Sequence, residues 1–183
     1  MNPAPHNPQA EKLAAVERLV ETYEAPLLRY ATRLLRDTDA AQDVVQNAFL
    51  RLLRNWRDAL EPSPQISSWL YRVTHNAAVD HLRHESRLRV LHEKEAAERP
   101  QELPPDRGTA FRISEEAEAA ALALQSLDLR DRQLVILKVY EEKSYREITE
   151  ITGLTGSYIG YLLHHAMKKL AAALHARRGQ QGP

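Results

Sequence analysis

The chain has 183 residues with six glycines and no cysteine, and its 25 Lys and Arg residues are balanced by 25 Asp and Glu residues. A formal net charge of zero excludes a uniformly basic nucleic-acid coat, although a local basic stripe remains compatible with it. The lack of cysteine excludes disulfides, thiolate metal sites and cysteine nucleophiles. This length fits one ordinary domain or two small ones.

No apolar run reaches the roughly 18 residues that a membrane-spanning helix needs. The first residues, MNPAPHNPQ, have neither a basic start nor an apolar stretch, so they do not resemble a signal peptide. We therefore expect a cytoplasmic protein with no membrane insertion.

Three helical segments are predicted in the first half of the chain, after a Pro- and Asn-rich tail over residues 1–9 that we expect to be disordered. The first, Ala10–Arg36, contains Pro26, which either begins a second helix or kinks one long helix. The second has Asp39 as a plausible N-cap and must end before the prolines that follow Glu61. Its apolar residues recur at three- and four-residue spacings and form one face: Ala41, Val44, Val45, Ala48, Phe49, Leu52, Leu53 and Trp56. The third begins after Ser67 or Ser68 and continues to about Arg87.

A charged, proline-containing segment at 93–113 predicts a flexible linker. Further helices are expected at about 115–127 and 130–142, followed by a short and then a longer helix. The sequence thus predicts an all-α fold. It consists of two small helical domains, 10–92 and 114–178, with a short tail at 179–183.

The last two helices have the pattern of a helix-turn-helix. Ser144 and Glu147 have the form of a capping box, and Gly153 is suited to end the first of these helices in a left-handed conformation. In this motif the second helix enters the DNA major groove. Lysines and arginines at 168, 169, 177 and 178 are able to neutralise phosphates. An ordinary helical hairpin with a basic C-terminal end fits the same pattern.

The third predicted helix carries a polar stripe at three- and four-residue spacings: Arg72, Asn76, Asp80, Arg83 and Arg87. Arginine supplies phosphate contacts, asparagine hydrogen-bonds bases, and the aromatic side chains of Trp69, Tyr71 and His75 flank the stripe. This mixture suits single-stranded or opened DNA. The alternative is a solvated helix face on which Trp69 is a core residue and Arg83 pairs with Asp80 or Glu85.

The sequence contains no arrangement typical of an enzyme. His81 and His84 have a spacing that is able to hold a metal, but no carboxylate motif accompanies them. The pattern lacks paired catalytic carboxylates, a nucleophile with a supporting base and a phosphate-binding loop. We therefore expect no catalytic residues, no metal and no cofactor; a metal-dependent helical hydrolase is kept only as a control hypothesis.

Taken together, the two halves resemble bacterial RNA polymerase sigma factors of the extracytoplasmic-function type, in the sigma-70 family. Residues 43–51 (DVVQNAFLR) resemble the conserved region 2 helix, residues 69–83 (WLYRVTHNAAVDHLR) the promoter-recognising helix that follows it, and 127–170 region 4. The resemblance extends from about residue 12 to 174, with the order and linker of this smallest sigma class.

The resemblance implies a protein that binds core RNA polymerase, through its β′ and β subunits, and promoter DNA; an anti-sigma factor is an additional candidate partner. Binding to a coiled coil of β′ would use Asp43, Val44, Gln46, Asn47, Phe49 and Leu50. The −10 element would be bound by Trp69, Tyr71, Arg72, Asn76, Arg83 and Arg87, with a flipped base captured by the loop at about 58–68. The −35 element would be contacted by Ser157, Tyr158, Tyr161, His165, Lys168 and Lys169.

The chain departs from the family at the start of the last helix. Family members usually have Lys, then Ser or Thr, then Arg there, whereas this chain has Gly160, Tyr161 and Leu162. Two cationic contacts are therefore missing, and Gly160 lowers helix propensity by about 1 kcal/mol relative to alanine. The alternative function is thus a sigma-like adaptor whose second domain mainly binds a protein, an anti-sigma factor or an activator.

Overall fold

The computed structural model describes residues 8–55, 61–96 and 115–180. Within these ranges the ordered elements are seven α-helices and one π-helical turn, which confirms the all-α prediction. The tail at 1–7, Trp56 and the predicted linker from residue 97 onward lie outside the described residues. The helices are α1 Pro8–Leu35, α2 Thr38–Asn55, α3 Pro64–Ala96, α4 Glu115–Gln125, α5 Leu129–Val135 (continued by the π-helical turn Ile136–Tyr140), α6 Tyr145–Thr152 and α7 Gly156–Gln180.

The first helix is continuous through Pro26, so the alternative of one long helix is correct. It packs on α2 and α3. The side chains of Leu27, Tyr30 and Leu34 are fully buried in that contact. Burying an aliphatic or aromatic side chain of this size contributes about 1.5–3 kcal/mol, which offsets the backbone hydrogen bond that a proline inside a helix cannot make.

The second helix begins at Thr38, two residues earlier than a cap at Asp39 requires. The Ala40 N–H donates to Asp37 Oδ1 at 3.0 Å, so Asp37 caps α2 and the assignment of Asp39 as the cap is wrong. Both aspartates fit the sequence pattern, and the backbone decides between them because Arg36 adopts a positive φ of 59° that turns the chain just before Asp37. The predicted apolar face is otherwise confirmed, with Ala41, Val44, Val45, Ala48 and Leu52 buried.

The third helix is longer than predicted at both ends. Its first residue is Pro64, a favoured first position because the missing N–H would have no helical partner. Ser63 caps it by accepting from the Ile66 N–H at 3.3 Å. At the other end α3 continues to Ala96 and so includes residues 93–96 of the predicted linker.

The four remaining helices form a second unit whose core lies between α5, α6 and α7. The capping box at the start of α6 is confirmed, with the Ser144 N–H donating to Glu147 Oε2 at 2.8 Å and the Glu147 N–H donating to Ser144 Oγ at 3.2 Å. Gly153 ends α6 with φ 73°, as the sequence predicts. The buried apolar residues of α6 and α7 are Ile148, Ile151, Ile159, Leu163 and Ala166.

The two helical units pack against each other, chiefly through α3 and α6. The C-terminal end of α1 supplies acceptors for this contact, because the last carbonyls of a helix have no partner within it. Gln125 Nε2 donates to the Arg33 carbonyl at 2.9 Å, and Arg132 Nη1 donates to the Leu34 carbonyl at 3.2 Å. Ser68 Oγ also donates to Glu150 Oε2 at 3.0 Å. The second unit therefore supplies donors for two carbonyl groups at the end of α1.

Candidate functional site

A groove of about 410 Å³ runs between α1 and α2 on the outside of the first unit. Its apolar lining comes from both helices, and its polar lining consists of two carboxylates and two amides. The lining residues are Val20, Glu24 and Leu28 from α1 and Gln42, Asp43, Val45, Gln46 and Phe49 from α2. None of the lining side chains is cationic, so the groove has a negative potential that favours a partner with basic and apolar side chains.

Three of the six residues predicted to contact the polymerase, Asp43, Gln46 and Phe49, line this groove. Leu50 lies outside it with 43% of its surface exposed. Asn47 is also exposed, and its Nδ2 donates to the Asp43 carbonyl of its own helix at 2.9 Å. Asp43, Gln46, Asn47 and Leu50 recur at three- and four-residue spacings and therefore lie on one face of α2, with Phe49 beside it.

Val44 is a correction to the predicted contact set, because its side chain is buried in the core of the first unit and is not available to a partner. The sequence prediction also missed the α1 side of the groove. Val20, Glu24 and Leu28 are four residues apart and therefore lie on one face of α1. The spacing is visible in the sequence, but only the packing of α1 on α2 shows that this face borders the groove.

The outer face of α3 is polar and exposed along four turns. Arg72, Asn76, Arg83 and Arg87 are all exposed, as the strand-binding prediction requires. The Arg83 guanidinium lies 3.6 Å from Asp80 Oδ1, with both side chains largely in solvent. A surface ion pair of this kind contributes at most about 1 kcal/mol, so Arg83 is able to exchange it for a phosphate.

Tyr71 does not lie on this face, contrary to the predicted set of −10 contacts. Only 2% of its surface is exposed, and its ring meets that of Tyr30 edge-on with centroids 5.3 Å apart. Position 71 is one residue away from the polar stripe and hence about 100° around the helix, where it faces the second unit. Trp69 is half-buried against the core.

The loop predicted at about 58–68 to capture a base ends earlier than expected, because α3 begins at Pro64. Residues 58–60 lie outside the described residues, and the chain from Pro64 onward is already helical. Ser67 and Ser68 are buried. The part of the predicted loop that the structure describes outside a helix is therefore limited to residues 61–63.

His75 is partly buried, and its ring bonds to a core side chain rather than lying on the exposed stripe of α3. Its Nδ1 is hydrogen-bonded to the Tyr30 hydroxyl at 3.0 Å. Burial lowers the pKa of His75 to about 4, because removing the imidazolium from water is unfavourable. The imidazole is therefore neutral at physiological pH.

Glu141 is the buried carboxylate at the contact between the two units, with 3% of its side chain exposed. The Tyr71 hydroxyl donates to its Oε2 at 2.9 Å, and Arg33 Nη1 lies 3.5 Å from its Oε1. The Lys143 ammonium lies 4.7 Å from the centre of the Tyr71 ring. Burial, together with the adjacent carboxylate, raises the pKa of Tyr71 well above its usual value, so this phenol stays protonated as a donor.

The helix-turn-helix presents the beginning of α7 to solvent. Ser157, Tyr158, Tyr161, His165 and Lys168 are exposed, as predicted. Lys169 is exposed but its ammonium is held 2.6 Å from the buried Asp131 Oδ2 and 3.4 Å from Asp128 Oδ2. The hydrogen bond to Asp131 raises the pKa of Lys169. Lys169 was predicted to contact the −35 element. The carboxylates of Asp128 and Asp131 therefore compete with DNA phosphates for its ammonium group.

The aromatic side chains of α7 form an ordered row. The rings of Tyr158 and Tyr161 are nearly parallel, 9° apart with centroids separated by 6.3 Å. The Tyr161 and His165 rings follow with centroids 4.4 Å apart. Stacking of this kind restricts the side chains before any partner binds.

Two further properties concern the described part of the chain. No group of three or more His, Cys, Asp or Glu side chains there is placed to hold a metal ion. Its helices are also too short or too polar for any of them to cross a membrane.

Comparisons with known proteins match both helical units. Residues 19–88 match the family described as Sigma-70 region 2, and residues 117–170 match Sigma-70 region 4. The RNA polymerase sigma-E factor of Streptomyces coelicolor is 31% identical over 163 residues, covering 88% of this chain and 86% of the relative. The ECF RNA polymerase sigma factor SigL of Mycobacterium tuberculosis is 26% identical, covering 90% and 92%. The RNA polymerase sigma factor YlaC of Bacillus subtilis is 25% identical, covering 91% and 96%.

A solved structure has the same fold at low sequence identity. It is the sigma factor RpoE in complex with the anti-sigma factor NepR, from Bartonella quintana. The TM-score is 0.59 at 18% identity, and the alignment covers 91% of this chain and 96% of that one.

Proposed function

The chain belongs to the sigma-70 family as a sigma factor of the extracytoplasmic-function type, which directs transcription initiation, and we propose that it divides this work among three surfaces. The groove between α1 and α2 binds core RNA polymerase, the outer face of α3 binds the opened −10 strand, and α7 contacts the −35 duplex. The groove is the observation that carries the proposal, because it is open and places residues of the DVVQ segment together.

The chemistry of the groove supports a helical, basic partner such as the β′ coiled coil. Its accessible apolar lining comes from Val20, Leu28 and Phe49, while Glu24 and Asp43 are available to arginine or lysine. Apolar burial supplies most of the affinity in such a contact, whereas the carboxylates favour the correct register and speed association.

The α3 face supports binding of a single strand through both charge and hydrogen bonding. Arg72, Arg83 and Arg87 lie along the exposed side of the helix, where they are able to contact phosphates of one strand. Asn76 lies between them with its amide exposed, where it is able to hydrogen-bond a base edge. Extruding a base costs a few kcal/mol, which several phosphate contacts and one base contact are sufficient to offset.

The alternative of a sigma-like adaptor is favoured by one observation. The beginning of α7 exposes tyrosine rings and no cationic side chain, a composition also typical of protein interfaces. An anti-sigma factor is the candidate partner, since the similar Bartonella quintana protein was solved with one. An adaptor would bind core polymerase but show no affinity for duplex DNA through α7.

Charge reversal in the groove tests the proposal. Asp43 is exposed and lines the groove, so Asp43→Arg should leave the fold intact while repelling a basic partner. We expect binding of core RNA polymerase, measured by surface plasmon resonance, to weaken at least about tenfold, equal to 1.4 kcal/mol. The matched control is Glu118→Arg, a charge reversal at an exposed position of α4 in the other unit. Equal affinities of the two variants would contradict the assignment of the groove.

A further inference from the structure

We infer that α7 recognises its duplex through contacts of Tyr158 and Tyr161 with thymine methyl groups, in place of cationic contacts with guanine. The inference rests on the proposed function, in which α7 enters the major groove. It concerns which bases this particular helix selects, and it follows from the charge, exposure and ring geometry of its first three turns.

The lack of charged side chains at the start of α7 excludes the commonest specific base contact, that of arginine or lysine with guanine. From Ile151 through Met167 the sequence has no Asp, Glu, Lys or Arg. In a helix-turn-helix the N-terminal residues of the second helix contact base edges, and specific recognition of guanine O6 and N7 is made mostly by arginine or lysine. The first cation of α7 is Lys168, more than three turns from its start, and Lys169 is held by Asp131. The base-contacting turns of α7 therefore cannot form a charged bidentate contact with guanine.

The exposed side chains that remain are suited to thymine. Tyr158 is 42% and Tyr161 59% exposed. Both lie near the start of α7, the part of the second helix that contacts base edges in this motif. In the major groove thymine alone presents a methyl group, which is recognised by apolar contact. A tyrosine ring offers an apolar edge for the methyl group and a hydroxyl for the adjacent O4 or N7 acceptor.

Prior ordering of the rings favours a specific contact over a loose one. Tyr158 and Tyr161 already stack in parallel, and His165 packs on the second ring. Side chains that are fixed before binding lose less rotamer entropy when a partner arrives. No carboxylate lies in the same stretch of sequence either, so the face does not repel phosphates.

The methyl group is tested directly by replacing thymine with deoxyuridine, which removes that group and leaves base pairing intact. Holoenzyme reconstituted from core polymerase and the full chain is first used to select duplexes from a library with a randomised −35 segment. The selected duplex is then resynthesised with deoxyuridine in that segment. We expect a loss of up to about fourfold in affinity for each contacted methyl group.

Two variants locate the effect on the helix. Tyr161→Ala, at an exposed position that carries no core packing, should lose the part of the thymine preference that its ring supplies. The double variant Tyr158→Ala/Tyr161→Ala should bind the thymine and deoxyuridine duplexes equally. Met167→Ala, exposed on the opposite side of the same helix, should keep the full wild-type preference.

Equal wild-type affinity for the two duplexes would overturn the inference, and so would selection of guanine without thymine. Selection without any −35 preference would also overturn it and favour a protein partner for α7. Open-complex formation by the same holoenzyme is measured separately, so failure of the inference is distinguishable from failure of the proposed function.

Discussion

At the scale of single residues, burial and pairing decide which polar side chains are available to partners. His75 and Tyr71 lie among the aromatic residues that flank the α3 stripe, yet Tyr71 is buried, His75 is partly buried, and both bond to neighbouring side chains. Lys169 is exposed but bonded to Asp131. Arg72 and Asn76 remain in solvent. The proposed nucleic-acid surface therefore has fewer available side chains than the sequence suggests. More of the proposed binding depends on the exposed α3 stripe.

The buried imidazole predicts a loss of stability in mild acid. The unfolded chain takes up a proton at His75 near pH 6.5, whereas the folded chain does so only near pH 4. The free energy of unfolding should therefore fall as pH decreases through that window, by up to about 3 kcal/mol. Between pH 7 and pH 5, the free energy of unfolding measured in urea should fall less for His75→Gln than for the wild type. His84→Gln, at an exposed position, should behave like the wild type; an unchanged pH dependence in His75→Gln would contradict the burial of this ring.

The exposed amide of Asn76 on α3 predicts that its removal changes the sequence preference of binding more than the overall affinity. Asn76→Ala should alter the preference of the holoenzyme among −10 sequences, because an amide that hydrogen-bonds a base distinguishes one base from another. Arg72→Ala should instead weaken binding to all sequences and reduce the slope of log affinity against log salt by about one. Competition binding over single-base −10 variants separates these results. A uniform loss in the Asn76 variant would reassign Asn76 to backbone positioning.

At the scale of helices, local chemistry predicts the ends of some elements and leaves others open. The Ser144–Glu147 box and Gly153 were sufficient to place α6, because each satisfies groups that a helix end leaves unpaired. The start of α2 was not decidable in the same way, since Asp37 and Asp39 are equally good caps by composition. The extension of α3 past Arg87 was missed because a charged segment can be helical when its backbone bonds are satisfied within the helix.

Two glycines around the turn of the helix-turn-helix should respond oppositely to alanine. Gly160→Ala should stabilise the chain by up to about 1 kcal/mol, because a Cβ there meets only Tyr145 Cε1 at 3.8 Å, an ordinary contact. Gly153→Ala should destabilise it by a similar amount, since φ at that position is 73°. Chemical denaturation of both variants checks the pair. Destabilisation by Gly160→Ala would show that the start of α7 is not regular helix.

At the scale of the whole molecule, the sequence predicted the composition of each helical unit but not how the units meet. Apolar spacing identifies which face of a helix is buried, and it predicted most of the cores of both units. It does not identify the partner of a polar residue such as Arg132 or Glu141, whose bonds join residues about 70 to 100 positions apart. For the same reason the α1 side of the groove was not predictable from the spacing of Val20, Glu24 and Leu28.

The packing of the two units predicts that removing the Tyr71 hydroxyl lowers the free energy of unfolding more than removing an ordinary tyrosine hydroxyl. Tyr71→Phe would remove the donor to the buried Glu141 carboxylate, and hydrogen bonds to charged groups contribute about 1.5–3 kcal/mol. The control, Tyr23→Phe, removes a bond from a half-buried phenol to the neutral Ser63 carbonyl within the first unit, for which about 0.5–1.5 kcal/mol is expected. Urea unfolding measures both losses. If Tyr71→Phe cost less than Tyr23→Phe, the units would not be held together through Glu141 in solution.

Permanganate footprinting of promoter DNA tests most directly whether the first unit joins the polymerase to an opened strand. The DNA is taken at transcription starts that are mapped after overexpression of the chain. Thymines in the −10 region should become reactive only when core polymerase and the chain are both present, and Asp43→Arg should abolish that reactivity. Stable binding of the chain to core polymerase with no reactive thymine at any mapped start would contradict the account.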